Sequence, residues 1–136
     1  MSELDSLNGD KMRLPVNKYD LDAVEKLGAA DFPAITPLLD GLAAWIADGN
    51  WPVAKPIADL FVATGAAAIP ALRRVLQGND AIHQRFALLL VIDRLPPATA
   101  GLLRSDLEQM VRSPTLDQVR EDVAELAERI LRKLRV

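Results

Sequence analysis

Apolar residues recur at helical spacing along most of this 136-residue chain, and glycine or proline ends nearly every run. That pattern constrains the fold more than any other feature. A 3.6-residue period gives each helix one buried face, and the glycine and proline stops keep each helix short. The spacing predicts about seven helices. The first is capped by Asp20, carries Leu21, Val24 and Leu27, and ends at Gly28. The second is capped by Asp31 and turns Ile35, Leu38, Leu39, Leu42 and Ile46 inward, with Trp45 at the edge of the stripe. The third starts near Asn50 or Trp51 and runs to Gly65, with Ile57, Leu60 and Phe61 inward. The fourth covers about Ala67 to Gln77, with Ile69, Leu72, Val75 and Leu76 inward. The fifth, from Ala81 to Leu95, is apolar on nearly every side between Phe86 and Ile92, which places it at the centre of the core. Pro96 and Pro97 stop it, since neither can continue a helical ladder. Thr99 caps the sixth, which buries Leu103, Leu107, Met110 and Val111 and breaks at Ser113-Pro114. Thr115 and Gln118 form a capping-box pattern. It opens a seventh helix with Val119, Val123, Leu126, Ile130 and Leu134 on one face. On the opposite face Glu125 and Arg129, and Glu128 and Arg132, stand four apart, the spacing of helical ion pairs.

The chain is therefore expected to be all-α and to form one domain over residues 14–136. Residues 1–13, polar and without periodicity, read as a flexible N-terminal arm. Alanine and leucine dominate and aromatic residues make up 4%, which favours helix over strand. The net charge of −3 argues against broad nucleic-acid binding, which needs a basic footprint. With no cysteine, disulfides, thiolate nucleophiles and cysteine-based metal sites are excluded. His83 is the single histidine; it reads as a solvated side chain and cannot build a structural zinc site alone. No glycine-framed serine or phosphate-cradling glycine loop is present. No catalytic constellation, cofactor or metal is expected. The acidic start lacks the charge pattern of a signal peptide. No apolar run approaches the ~20 residues of a membrane span, so a cytoplasmic location without membrane contact is expected.

Two helix starts share one formula: cap, aromatic, proline, three residues, proline. They are Asp31-Phe32-Pro33-Ala34-Ile35-Thr36-Pro37 and Asn50-Trp51-Pro52-Val53-Ala54-Lys55-Pro56. The first proline is tolerated in a first turn. The second has no N–H for the carbonyl four residues back, so both helices should open with a kinked or loosened turn. Ala34-Ile35-Thr36-Pro37-Leu38 is also echoed by Ala68-Ile69-Pro70-Ala71-Leu72, 34 residues on, a helix–turn–helix period. These patterns resemble HEAT repeats, in which Ala-Ile-Pro-x-Leu opens the second helix of each pair. The resemblance implies a short HEAT-like array of three helix pairs closed by the last helix. Each pair would bury its apolar face against its neighbours, with the second helices lining a concave side. More locally, the stretch Asp48 to Pro56, with Leu14-Pro15 and Lys18-Tyr19-Asp20 before it, is similar to an uncharacterised family of small bacterial HEAT-like domains. That family is marked by an Asn-Trp-Pro-Val-Ala stretch, and no activity or catalytic residue carries over from it.

Two candidate surfaces follow. The first is the edge holding Asp48, Asn50, Trp51 and Lys55, because aromatic and charged residues at a turn are typical of binding hot spots. The alternative puts Trp51 in the core and gives the prolines a purely architectural role. Lys55 and Asp59 are four apart and face solvent on this reading. The second surface is a basic strip of Arg73, Arg74 and Arg104 on the concave side, against the alternative of a solvated face with scattered ion pairs. The function expected is a non-catalytic protein-interaction module, monomeric or weakly dimeric, whose partner is another protein. A small, acidic, cysteine-free chain also suits an immunity protein that binds and inhibits a bacterial toxin. Some HEAT-like proteins are DNA glycosylases, which makes a DNA-acting enzyme a third reading; the acidic charge and the placement of Trp45 and Trp51 on different helices weigh against it.

Overall fold

The computed structural model describes residues 12–134, so the expected N-terminal arm lies outside the described residues except for Met12 and Arg13. Seven helices and no strand are present among the described residues. They are α1 (Leu21–Gly28), α2 (Phe32–Ile46), α3 (Ala54–Thr64), α4 (Ile69–Gln77), α5 (Ala81–Leu90), α6 (97–112) and α7 (116–134). The all-α reading of the sequence holds.

Several starts follow the sequence. Asp20 accepts a hydrogen bond from the Ala23 amide at 3.3 Å, and Asp80 accepts one from the His83 amide at 3.1 Å. Thr115 and Gln118 form a complete capping box, each side chain accepting from the other's backbone N–H. Other starts differ. The Asp31 side chain makes no cap bond; its carbonyl instead accepts from Ala34 and Ile35. The cap of α6 is Pro96, not Thr99, and Pro97 occupies the first turn, where a missing N–H costs nothing. α3 begins at Ala54, later than Asn50 or Trp51. Pro56 has no N–H for the Pro52 carbonyl, so residues 51–53 form a turn closed by the Ala54 amide on Trp51 O at 3.0 Å. The same device loosens α2, which passes through a 3-10 turn at Thr36–Leu38.

Two breaks were not foreseen. α7 divides into Leu116–Arg120 and Val123–Leu134, with Asp122 at φ 60° between them. The break turns Val119 away from the buried face, leaving it 53% exposed, while Val123 and Ile130 remain buried. α5 ends at Leu90, and a 3-10 turn, Ile92–Arg94, completes the segment. The run Ala54–Gln77 is long and apolar enough, by length and composition alone, to cross a membrane, with an 18-residue stretch of mean hydropathy 1.3. This corrects the expectation that no run comes close. It is two helices, however. Gly65 at φ 71° and ψ −129° separates α3 from α4, a backbone conformation that glycine adopts without a Cβ clash. Ile57, Phe61, Ile69 and Leu72 from this run all lie in the core.

The helices pack in two layers. α1 lies on α3, α3 on α5 and α5 on α7, while α2 lies on α4 and α4 on α6. Between the layers, α2 meets α3, α4 meets α5, and α6 meets α7. One apolar cluster runs through the whole stack, from Val24 in α1 to Leu131 in α7. α5 sits at the centre as expected, against α3, α4, α7 and the end of α2. Its Ala87 and Leu88 are fully buried, as are Val91 and Ile92 just beyond it.

Candidate binding surfaces

The edge around Trp51 is a composite of two chain segments. The first is the lead-in loop, residues 13–20, which is organised by one carboxylate. Asp20 accepts hydrogen bonds from Arg13, from the Val16 amide at 3.0 Å and from the Ala23 amide at 3.3 Å. Its side chain is only 9% exposed. The hydrogen bond from the Arg13 guanidinium, seconded by those amides, holds the Asp20 carboxyl far below the usual carboxylate range. The same pairing raises the pKa of Arg13. Leu14 lies against Gly41 of α2, which seats the loop on the fold. With its backbone fixed this way, the loop holds Val16 74% exposed and Tyr19 66% exposed. The Lys18 ammonium lies 5.3 Å from the centre of the Tyr19 ring.

The second segment is the turn from α2 to α3. Asp48 accepts from the Asn50 amide at 2.8 Å through its side chain and from the Trp51 amide at 3.1 Å through its carbonyl. Trp51 packs edge-on against Trp45, with ring centres 5.8 Å apart and planes at 62°. It is half-buried against the core. Its inner side is structural and the remainder is surface. Asn50, Pro52 and Lys55 are exposed. Lys55 does not pair with Asp59, which instead accepts from Arg94 of the turn after α5 at 2.7 Å. The two segments are joined where the Val53 amide donates to Lys18 O at 3.2 Å.

The three arginines do not form a common strip of free cations. Arg73 of α4 reaches Asp106 of α6 at 3.1 Å and the Leu102 carbonyl at 2.7 Å. Arg74 pairs with Asp40 of α2. Both therefore join neighbouring helices of one layer. Arg104 is exposed and makes no ion pair with a described residue. It lines a shallow groove with Glu108, Val111, Arg112 and Leu131, apart from the other two. The other layer is tied in the same manner, by Asp59 with Arg94 and by Asp93 with Arg129 and Lys133. Arg129 is thus taken by Asp93, at 3.1 Å, rather than by Glu125.

Three side chains escaped the sequence reading. Val16 and Tyr19 form the outer part of the edge; the exposed aromatic in the lead-in was the available signal. Gln84 is the one fully buried polar side chain among the described residues. Its Nε2 donates to Leu76 O at 3.1 Å and Gly78 O at 2.9 Å at the end of α4, and its Oε1 accepts from Gln118 at 3.0 Å. A glutamine inside the central apolar helix was the signal there. His83 is not the solvated side chain expected. It is half-buried, with Nε2 2.7 Å from the Ala43 carbonyl, which can only accept, so that nitrogen carries the hydrogen.

A search of curated proteins finds no match to the chain. A family match does exist, and it spans residues 13–131, taking in the Asp20 loop, the Trp51 turn and all the described residues but Met12 and the last three. The chain belongs to the family described as a domain of unknown function, DUF5071.

Proposed function

We propose that this domain is a non-catalytic, HEAT-like helical-repeat module that binds another protein through the edge formed by residues 13–20 and 48–55. The observation that carries the proposal is the outward presentation of Tyr19 and Val16 on a loop pinned by Asp20. A large apolar side chain on an ordered backbone loses little freedom when a partner covers it. Aromatic residues so placed dominate binding energy. The Asn50 to Ala54 stretch supports the edge from beneath. Trp51 rests on Trp45, Val53 and Ala54 are fully buried, and the Val53 amide holds the loop.

The repeat reading draws support from the ties between helices. Asp40 and Arg74 are 34 residues apart, Arg73 and Asp106 33, Asp59 and Arg94 35, and Asp93 and Arg129 36. One acid–arginine bond recurring at nearly constant separation in both layers fits stacked helix pairs, in which each unit contacts its neighbours. The test is affinity capture from the host cells with the wild-type chain, Tyr19→Ala, Val16→Asp and Leu102→Ala. Leu102 is also exposed and serves as the control. A protein captured by wild type and Leu102→Ala, and lost with the other two, supports the proposal. Equal recovery by all four chains sinks it.

A further inference from the structure

We infer that the partner segment bound at this edge is acidic, its carboxylates pairing with Lys18 and Lys55 on either side of the loop–turn junction. The inference rests on reading the edge as a protein-binding surface. Residues 1–60 hold 5 Lys and Arg against 10 Asp and Glu. In such a surplus of acid, a cation readily finds an internal partner. Arg13 and Lys26 do so, pairing with Asp20 and Asp22. Lys18 and Lys55 are exposed and make no ion pair with a described residue; the Lys18 ammonium rests by the Tyr19 ring.

Both lie at the same place. The Lys18 carbonyl accepts from the Val53 amide at 3.2 Å, and Lys55 follows two residues later. Tyr19, Trp51 and Pro52 surround that junction. Of the neighbouring carboxylates, Asp20 is taken by Arg13 and two amides, and Asp48 accepts from the Asn50 amide. The edge thus offers two exposed lysines, with the Lys18 ammonium beside the Tyr19 ring. A segment with carboxylates supplies the missing counter-charges, whereas a basic segment meets like charge.

Octa-glutamate and octa-lysine are the probes, titrated into the 15N-labelled full chain at low salt. Octa-glutamate is expected to shift the amide signals of Lys18, Tyr19, Asn50, Trp51 and residues 53–55, and octa-lysine to leave them in place. Lys18→Glu/Lys55→Glu should bind octa-glutamate at least about tenfold more weakly, and high salt should abolish the shifts. Both lysines are exposed, so the rest of the variant's spectrum should stay unchanged and report an intact fold. Absent shifts, shifts centred instead on Arg104 and Arg112, or equal binding by the double variant overturn the acidic partner. If Tyr19→Ala still loses its captured protein in that case, the binding edge stands and only the charge assignment falls. If Tyr19→Ala captures as wild type does, both fall together.

Discussion

At the scale of single residues, two polar side chains have consequences larger than their exposure suggests. Asp20 has a native pKa below its unfolded value because Arg13 and two amides favour the carboxylate. The unfolded chain therefore binds the proton first as the pH falls. The contribution of Asp20 is complete above the unfolded carboxylate pKa of about 4 and declines as the pH drops from there toward the native value. Asp20→Asn should lower the urea midpoint at pH 7, and its difference from wild type should shrink between about pH 4 and pH 2. A difference constant across that range would show that the pairing with Arg13 does not set the pH response. Gln84 satisfies carbonyls at the end of α4 that no backbone donor among the described residues reaches. Gln84→Leu keeps the volume but strands those carbonyls and Gln118, at a cost of about 2–4 kcal/mol in urea unfolding. A loss under roughly 1 kcal/mol would mean that water replaces the amide.

At the scale of elements, the turn between α2 and α3 is held against the central helix by shape. A Cβ on Gly49 would lie 2.5 Å from the Phe86 ring of α5. Gly49→Ala must displace that ring, and an overpacked contact of this kind costs about 1–3 kcal/mol. Phe86→Leu removes the clash at the price of some packing. In a double-mutant cycle the pair should be less destabilised than the sum of its single changes, with coupling of about 0.5–3 kcal/mol. Additive effects would place the strain elsewhere. The turn also carries Asn50 and Trp51, so this contact positions the proposed binding edge relative to the core.

At the scale of the whole molecule, one apolar cluster joins α1 to α7, and acid–arginine ties join neighbours within each layer. Stacked helix pairs unfold piecewise when their interfaces are weak. Here the central α5 touches both layers, so unfolding should be a single cooperative transition. Trp45 and Trp51 lie in α2 and the turn after it and report on that region, whereas far-UV circular dichroism reports on all helices. The two urea curves should coincide. A fluorescence transition that precedes the loss of helix would show that the α1–α3 end melts independently.

The sequence by itself determined the helical class, the number of helices, the capping box at Thr115 and the central place of the segment after Ala81. These rest on periodicity, on proline's missing N–H and on side chains bonding amides three residues away, all of which are local. It also marked the loosened start of α3, because Pro56 leaves the Pro52 carbonyl without its donor whatever surrounds it. Only the tertiary structure decided where the long-range partners lie. Arg73 and Arg74 looked like a free basic strip until Asp106 and Asp40 came beside them from neighbouring helices. Arg129 had a carboxylate four residues away and took another from 36 residues away. Tyr19 and Trp51 became one edge only when the Val53 amide met the Lys18 carbonyl. Charge and hydrogen-bond pairing depend on distances across the fold, and helical spacing says nothing about those distances.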